Sequence, residues 1–111
     1  MTSVAKANFV DNSEFEQLIA ETKIVVADYT ATWCGPCRVV APLIDQLATE
    51  YAESITVVKI DIDKDPDAAK KHGIRSIPAV LVFRDGEVVE NIFGSQPYET
   101  YSNLVEKQLK L

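Results

Sequence analysis

Ile24-Val25-Val26-Ala27-Asp28-Tyr29-Thr30-Ala31-Thr32-Trp33-Cys34-Gly35-Pro36-Cys37 is the stretch on which the fold turns. Ile24 to Ala27 is an apolar, mostly β-branched run without polar alternation, the pattern of a strand covered on both faces and therefore central in a parallel sheet. From Pro36 onward, Val39, Val40, Leu43, Ile44, Leu47, Ala48 and Tyr51 fall on one helical stripe, which predicts a helix kinked by Pro42. A strand that passes straight into Cys-x-x-Cys and a helix sets the first sulfur beside a helix N-terminus, where unpaired N–H groups and the macrodipole favour negative charge. The thiolate, not the thiol, attacks disulfides, and an ordinary cysteine titrates at ~8.5, so this placement makes Cys34 the candidate nucleophile. Cys37 lies one helical turn further on the same face, within reach of a mixed disulfide on Cys34, and is the candidate resolving thiol. Pro36 suits the first turn, where its missing N–H is no loss, and Gly35 leaves room for a partner backbone.

The elements alternate on either side. Upstream, Ser13 and Glu16 have capping-box spacing, and Phe15, Leu18 and Ile19 recur at helical intervals. Downstream, Ile55 to Ile60 reads as a strand, and Asp65-Pro66-Asp67 caps a short helix that ends near His72-Gly73. Ala79 to Phe83 and Glu87 to Phe93 are two strands joined through Arg84-Asp85-Gly86; Asp-Gly favours a tight hairpin, so these strands are antiparallel. A last amphipathic helix carries Tyr101, Leu104, Val105 and Leu109 and can cover the open sheet face. The expected fold is α/β, a mixed central sheet with helices on both faces. No repeat, low-complexity tract or linker divides it, so residues 1–111 are expected to form one domain.

With 47% hydrophobic and 25% charged residues, the chain has enough apolar side chains to offset the entropy of ordering it. A formal charge of -6 repels phosphate backbones and anionic lipid, which argues against nucleic acid and membrane as partners. The longest apolar run, Ile77 to Phe83, is far short of the roughly 20 residues a spanning helix needs. Met1 to Asn8 has no apolar core behind a basic start, so no signal peptide is read there and the cytoplasm is the expected compartment. In that reducing setting, two cysteines three apart are better read as reactive than as a staple. A closed zinc site usually takes four ligands, more than two cysteines and His72 supply, so no metal is expected. The run Asp61, Asp63, Asp65, Asp67 lacks the glycine and distal glutamate of a calcium loop and reads as a solvated loop with a helix cap. His72 is expected to favour a helix C-terminus, and Tyr29, Tyr51, Tyr98 and Tyr101 to pack by their rings with hydroxyls reaching water or a partner.

The box Trp33-Cys34-Gly35-Pro36-Cys37, with Asp28 before it and Pro42, Lys59, Gly73-Ile74-Arg75-Ser76-Ile77-Pro78, Gly86 and Gly94 after it, resembles the thioredoxin family over nearly the whole chain. The resemblance implies that family's fold, β-α-β-α-β-α-β-β-α, which adds a strand before the first helix. It implies a protein-disulfide reductase and electron carrier with no bound cofactor, its redox centre the Cys34–Cys37 disulfide. Its partners would be disulfide-containing client proteins and a thioredoxin reductase, linked to NADPH or to ferredoxin, and it would work as a monomer. Gly35 and Pro36, in place of a histidine-containing spacer, imply a couple tuned toward reducing its partners.

The resemblance also assigns Asp28 to helping deprotonate Cys37, and Lys59 to a place near that buried carboxylate, where it would hold down the proton affinity that burial raises. Read from the residues alone, a strand-end aspartate bonded to nearby backbone and a snorkelling surface lysine are the alternatives. Pro78 would be cis, exposing the Ile77 backbone for strand-like pairing with an extended peptide, while Trp33, Gly35, Pro36, Phe93 and Gly94 complete the groove. For Trp33 and Phe93 ordinary packing is the alternative. Thr30, Ala79 and Phe93 depart from the family's usual residues, and Thr30 in particular is expected to loosen packing beneath the site.

Overall fold

The computed structural model describes residues 6–111; residues 1–5, on which most of the signal-peptide reading rests, lie outside the described residues. The apolar run that opens β2 (Ile24–Thr30) is buried on both faces, and the strand sits at the middle of a five-stranded sheet in the order β1-β3-β2-β4-β5. The other elements are β1 (Asn8–Phe9), α1 (Asn12–Glu21), α2 (Gly35–Glu50), β3 (Thr56–Asp61), α3 (Pro66–Lys71), β4 (Ala79–Arg84), β5 (Glu87–Phe93) and α4 (Tyr98–Leu109). β1 and β2 run parallel to β3, whereas β4 is antiparallel to both β2 and β5. This is the mixed sheet expected, including a short first strand that no hydrophobic run announces.

Alternation along β2 sorts the two cores. Ile24 and Val26 join Val40, Ile44 and Leu47 of α2 and Tyr101 and Val105 of α4, while Val25, Ala27 and Tyr29 join Phe15 and Ile19 of α1 and Ala68 and Ala69 of α3. β2 continues past Ala27 to Thr30, so Asp28 is carried into the interior on the face beneath α2 and α4. α2 runs unbroken from Gly35 to Glu50 through Pro42.

Two helix starts differ from the sequence reading. The cap of α1 is Asp11, not Ser13: its carboxylate accepts the Glu14 N–H at 2.8 Å, and Glu14 Oε1 accepts the Asp11 N–H at 3.4 Å. The same spacing occurs twice in succession, and the earlier frame is also held from outside, because Asp65 Oδ2 accepts the Asn12 N–H at 2.8 Å. Asp65 stands at the cap position of α3 but makes no side-chain cap there; its carboxylate serves α1 instead. Asp11→Ala is expected to cost about 1 kcal/mol through loss of that reciprocal cap, measurable as a lower urea midpoint with an unchanged m-value.

The Asp85-Gly86 pair forms the two-residue turn the sequence calls for. Asp85 has φ 53° and Gly86 φ 84°, and Arg84 pairs with Glu87 across the strand ends. In α4, Tyr101 and Val105 are buried as expected but Leu109 is exposed; one residue earlier, Gln108 takes the inward position, its carbonyl accepting from Arg84 Nη1 at 2.7 Å. The tyrosines also divide: Tyr51 donates to Glu106 at 2.7 Å and Tyr98 to Glu50, whereas the Tyr29 hydroxyl is buried with no partner among the described residues. Tyr29 is held by its ring, edge-on to Phe15. His72 is the C-cap residue of α3 and packs edge-on against both Phe15 and Phe83.

Candidate active site

The tight connection from β2 leaves Cys34 as the N-cap residue of α2, in extended backbone, with Gly35 and Pro36 forming the first exposed turn. Cys34 and Cys37 are joined as a disulfide with Cα atoms 5.3 Å apart. The Cys37 N–H points at Cys34 Sγ at 3.3 Å. One of the amides that a helix start leaves unpaired is therefore aimed at the sulfur. Both cysteines are buried, against Ala31, Ile62 and Ile77, beneath a rim that includes the exposed residues Gly35 and Pro36. A Cβ at Gly35 would meet nothing within 4 Å among the described residues, so the space over that residue is open. Arg38 Nη2 donates to the Thr32 carbonyl at 2.9 Å and the Cys34 N–H donates to Ala31 at 3.2 Å, fixing the loop that delivers Cys34.

The residues named for the groove converge on this rim. The Ile77–Pro78 peptide is cis; Ile77 packs on the disulfide, and the Pro78 carbonyl accepts the Gly94 N–H at 2.8 Å. Phe93 lies opposite Ala79 in the β4–β5 pairing. Trp33 is 65% exposed and Phe93 46%, so interior packing accounts for neither. Trp33 does have one tether: its Nε1 donates to Asp63 Oδ2 at 2.8 Å. Asp63 belongs to the acidic run read as a solvated loop, and its part in holding Trp33 has no signal in the sequence, because the contact spans 30 residues. Asp63→Ala should free the indole at a cost of about 1 kcal/mol. The expected result is a KM for a protein disulfide raised up to about fivefold, with kcat unchanged.

Asp28 is 1% exposed and, among the described residues, neither carboxylate oxygen has a hydrogen-bond partner, which removes the alternative of a backbone-bonded strand-end aspartate. Burial pushes its pKa up to about 7; the Lys59 charge opposes that rise and the Asp45 carboxylate adds to it. Lys59 stands opposite Asp28 in the β2–β3 register and is itself buried, with Nζ 5.8 Å from the centre of the Phe9 ring. Its direct ion-pair partner is Asp45 of α2, at 3.1 Å. Sequence reading missed Asp45. It flanks the apolar stripe of α2, four residues after Ala41 and three before Ala48, and a search for charges bordering that stripe would have found it.

Thr30 is half-buried and, with Phe9, Ala31, Thr32, Cys37, Arg38, Ala41 and Asp61, lines an open surface hollow of about 350 Å³. Among the described residues no three His, Cys, Asp or Glu side chains converge as metal ligands, and no helix is long and apolar enough to cross a membrane.

Comparison with known proteins gives a consistent result. A family model described as Thioredoxin matches residues 6–107. Thioredoxin 1 of Synechococcus elongatus is 43% identical over 108 residues, covering 96% of this chain and 99% of that protein. The chloroplastic M-type thioredoxin of Pisum sativum is 44% identical over 109 residues, covering 96% of this chain and 63% of that protein. Among solved structures, a mutant thioredoxin from Halobacterium salinarum NRC-1 matches with a TM-score of 0.87 at 30% identity, over 100% of this chain and 97% of that one.

Proposed function

The chain belongs to the thioredoxin family, and from that premise we propose how its side chains divide the work of dithiol-disulfide exchange. It is a disulfide oxidoreductase whose redox centre is the protein's own Cys34–Cys37 pair. In the reduced protein the Cys34 thiolate attacks one sulfur of a client disulfide; a Cys34–client bond forms and the client's other sulfur leaves as a thiolate. Asp28 takes the Cys37 proton, and the Cys37 thiolate then attacks Cys34, closing the Cys34–Cys37 bond and expelling the second client thiolate. Two electrons pass to the client, and two protons complete its thiols.

The observation that carries this division is the Cys37 N–H aimed at Cys34 Sγ from the first turn of α2. A donor at that point stabilises negative sulfur at position 34 and offers nothing comparable to position 37. Lys59 moderates the proton affinity of Asp28. Gly35 and Pro36 leave the approach open, and an extended client segment pairs with the Ile77 backbone at Pro78 and Gly94 between the apolar side chains of Trp33 and Phe93. Residues 1–111 act as one domain and as a monomer.

Electrons return from a thioredoxin reductase. The chloroplastic M-type relatives are the reason to test a ferredoxin-linked enzyme beside an NADPH-linked one, and to examine plastids by fractionation beside the cytoplasm, the compartment we favour. The test is reduction of a protein disulfide by catalytic amounts of the chain with each reductase and its donor. Sustained turnover with one of them supports the reading, and stoichiometric reduction that stops after one equivalent with both would contradict it.

A further inference from the structure

Among the described residues, the titratable groups that act on Asp28 each come from a different element. Lys59 faces it from β3, Tyr101 from α4, and Asp45 acts on it from α2, while its partner on β4 is the apolar Val80. At the helix start lie Cys34 and Cys37. Lys59 is the only cation of this group. A buried lysine next to an unpaired buried carboxyl would ordinarily be expected to bond to it, since an isolated buried charge costs several kcal/mol. Here the ammonium sits 3.1 Å from Asp45 Oδ1, and both Asp28 oxygens remain without a hydrogen bond. Asp45 is suited to hold it. Its side chain is 29% exposed, and its Oδ1 is further fixed by the Ala7 N–H at 3.2 Å.

We propose that Asp45 is a positioning residue for the exchange reaction: by engaging the Lys59 ammonium from α2, it withholds from Asp28 the cation that would otherwise fix that side chain as a permanent carboxylate. The consequence for chemistry rests on the proposal that Asp28 takes the Cys37 proton. A carboxyl bonded directly to a lysine would be too weak a base, whereas one kept at arm's length can both accept and return a proton near neutral pH. Removing the Asp45 charge frees Lys59 to swing toward Asp28.

The experiment is a ¹³C NMR titration of the Asp28 carboxyl in the wild type, Asp45→Asn, Asp45→Glu and Lys59→Met, with the double variant Asp45→Asn/Lys59→Met, alongside the pH profile of client release. Asp45→Asn should lower the Asp28 midpoint by about one pH unit, Asp45→Glu should restore it, and in the Lys59→Met background the effect of Asp45→Asn should largely vanish. An unmoved midpoint in Asp45→Asn would overturn the proposal, as would a full displacement that persists without Lys59, which would mean simple repulsion between the two carboxylates. The pH profile should move with the midpoint. A midpoint that moves under an unchanged profile would uphold the withholding of Lys59 by Asp45 but overturn its part in the exchange reaction, and with it Asp28 as the proton acceptor.

Discussion

Cys37→Ser is expected to turn the protein from a turnover catalyst into a covalent trap. Attack by Cys34 needs only the helix start and its amide, both of which serine leaves in place. Resolution is different, because it depends on a second sulfur held one turn away, with the two Cα atoms 5.3 Å apart in the disulfide. Intramolecular groups so placed reach effective molarities on the order of 10⁵ M. External thiols at millimolar levels cannot substitute, so release of the client should slow by at least about 10³-fold. Mass spectrometry of the variant after exposure to a cell extract should recover clients joined through Cys34. Cys34→Ser should capture none and reduce none. Equal recovery from both variants, or turnover retained in Cys37→Ser, would contradict the assigned order of the two sulfurs.

The second large effect concerns stability and its dependence on pH. Asp28 in the oxidised protein holds its proton up to about pH 7, whereas an unfolded aspartate releases it near the ordinary value of 3.8. Its folded pKa is raised, so between those two values the folded state binds more protons than the unfolded one, and stability falls as pH rises. Below about pH 4 both states become protonated and the cost of ionisation fades; above about pH 7 both are ionised and that cost is constant. Each tenfold gain in proton affinity on folding corresponds to about 1.4 kcal/mol, which makes the full cost about 4 kcal/mol, undiminished by screening because the side chain is 1% exposed. Asp28→Asn should therefore stabilise the oxidised protein by about 3 kcal/mol at pH 8, allowing about 1 kcal/mol for an amide without hydrogen bonds, and that same allowance should leave it slightly destabilising at pH 4. Urea unfolding at the two pH values measures it. A gain of the same size at both would show that packing, not ionisation, separates the two side chains. The same variant should release clients about 10² times more slowly at pH 7, at the low end of what a positioned base supplies.

These two expectations also mark the limits of what could be read from residues in order. The strand that ends near Asp28, the helix behind Cys37 and the Asp85-Gly86 turn follow from local patterns, because apolar period, cap spacing and positive φ are properties of neighbouring residues. The placement of Cys34 at a helix start belongs to the same class, which is why the centre of the site was legible. Contacts that close across the fold were not. Asp45 meets Lys59 through the packing of α2 on β3, Asp63 meets Trp33 across 30 residues, and Asp65 abandons its own helix for the Asn12 amide. In each of these a carboxylate whose local setting suggests solvent or a cap is claimed by a distant donor. β1, only two residues long, was expected solely because the chain resembles a family that has such a strand.

On the proposed mechanism, one sulfur of the pair is poised as an anion and the other is not. Reduced protein should be treated at pH 7 with iodoacetamide under pseudo-first-order conditions, with glutathione as the reference thiol and peptide mapping to locate the label. Cys34 should be labelled faster than glutathione, while Cys37, as buried as Cys34 but with no amide aimed at it among the described residues, should lag well behind. Labelling of Cys34 no faster than glutathione, or equal rates at the two positions, would contradict that mechanism.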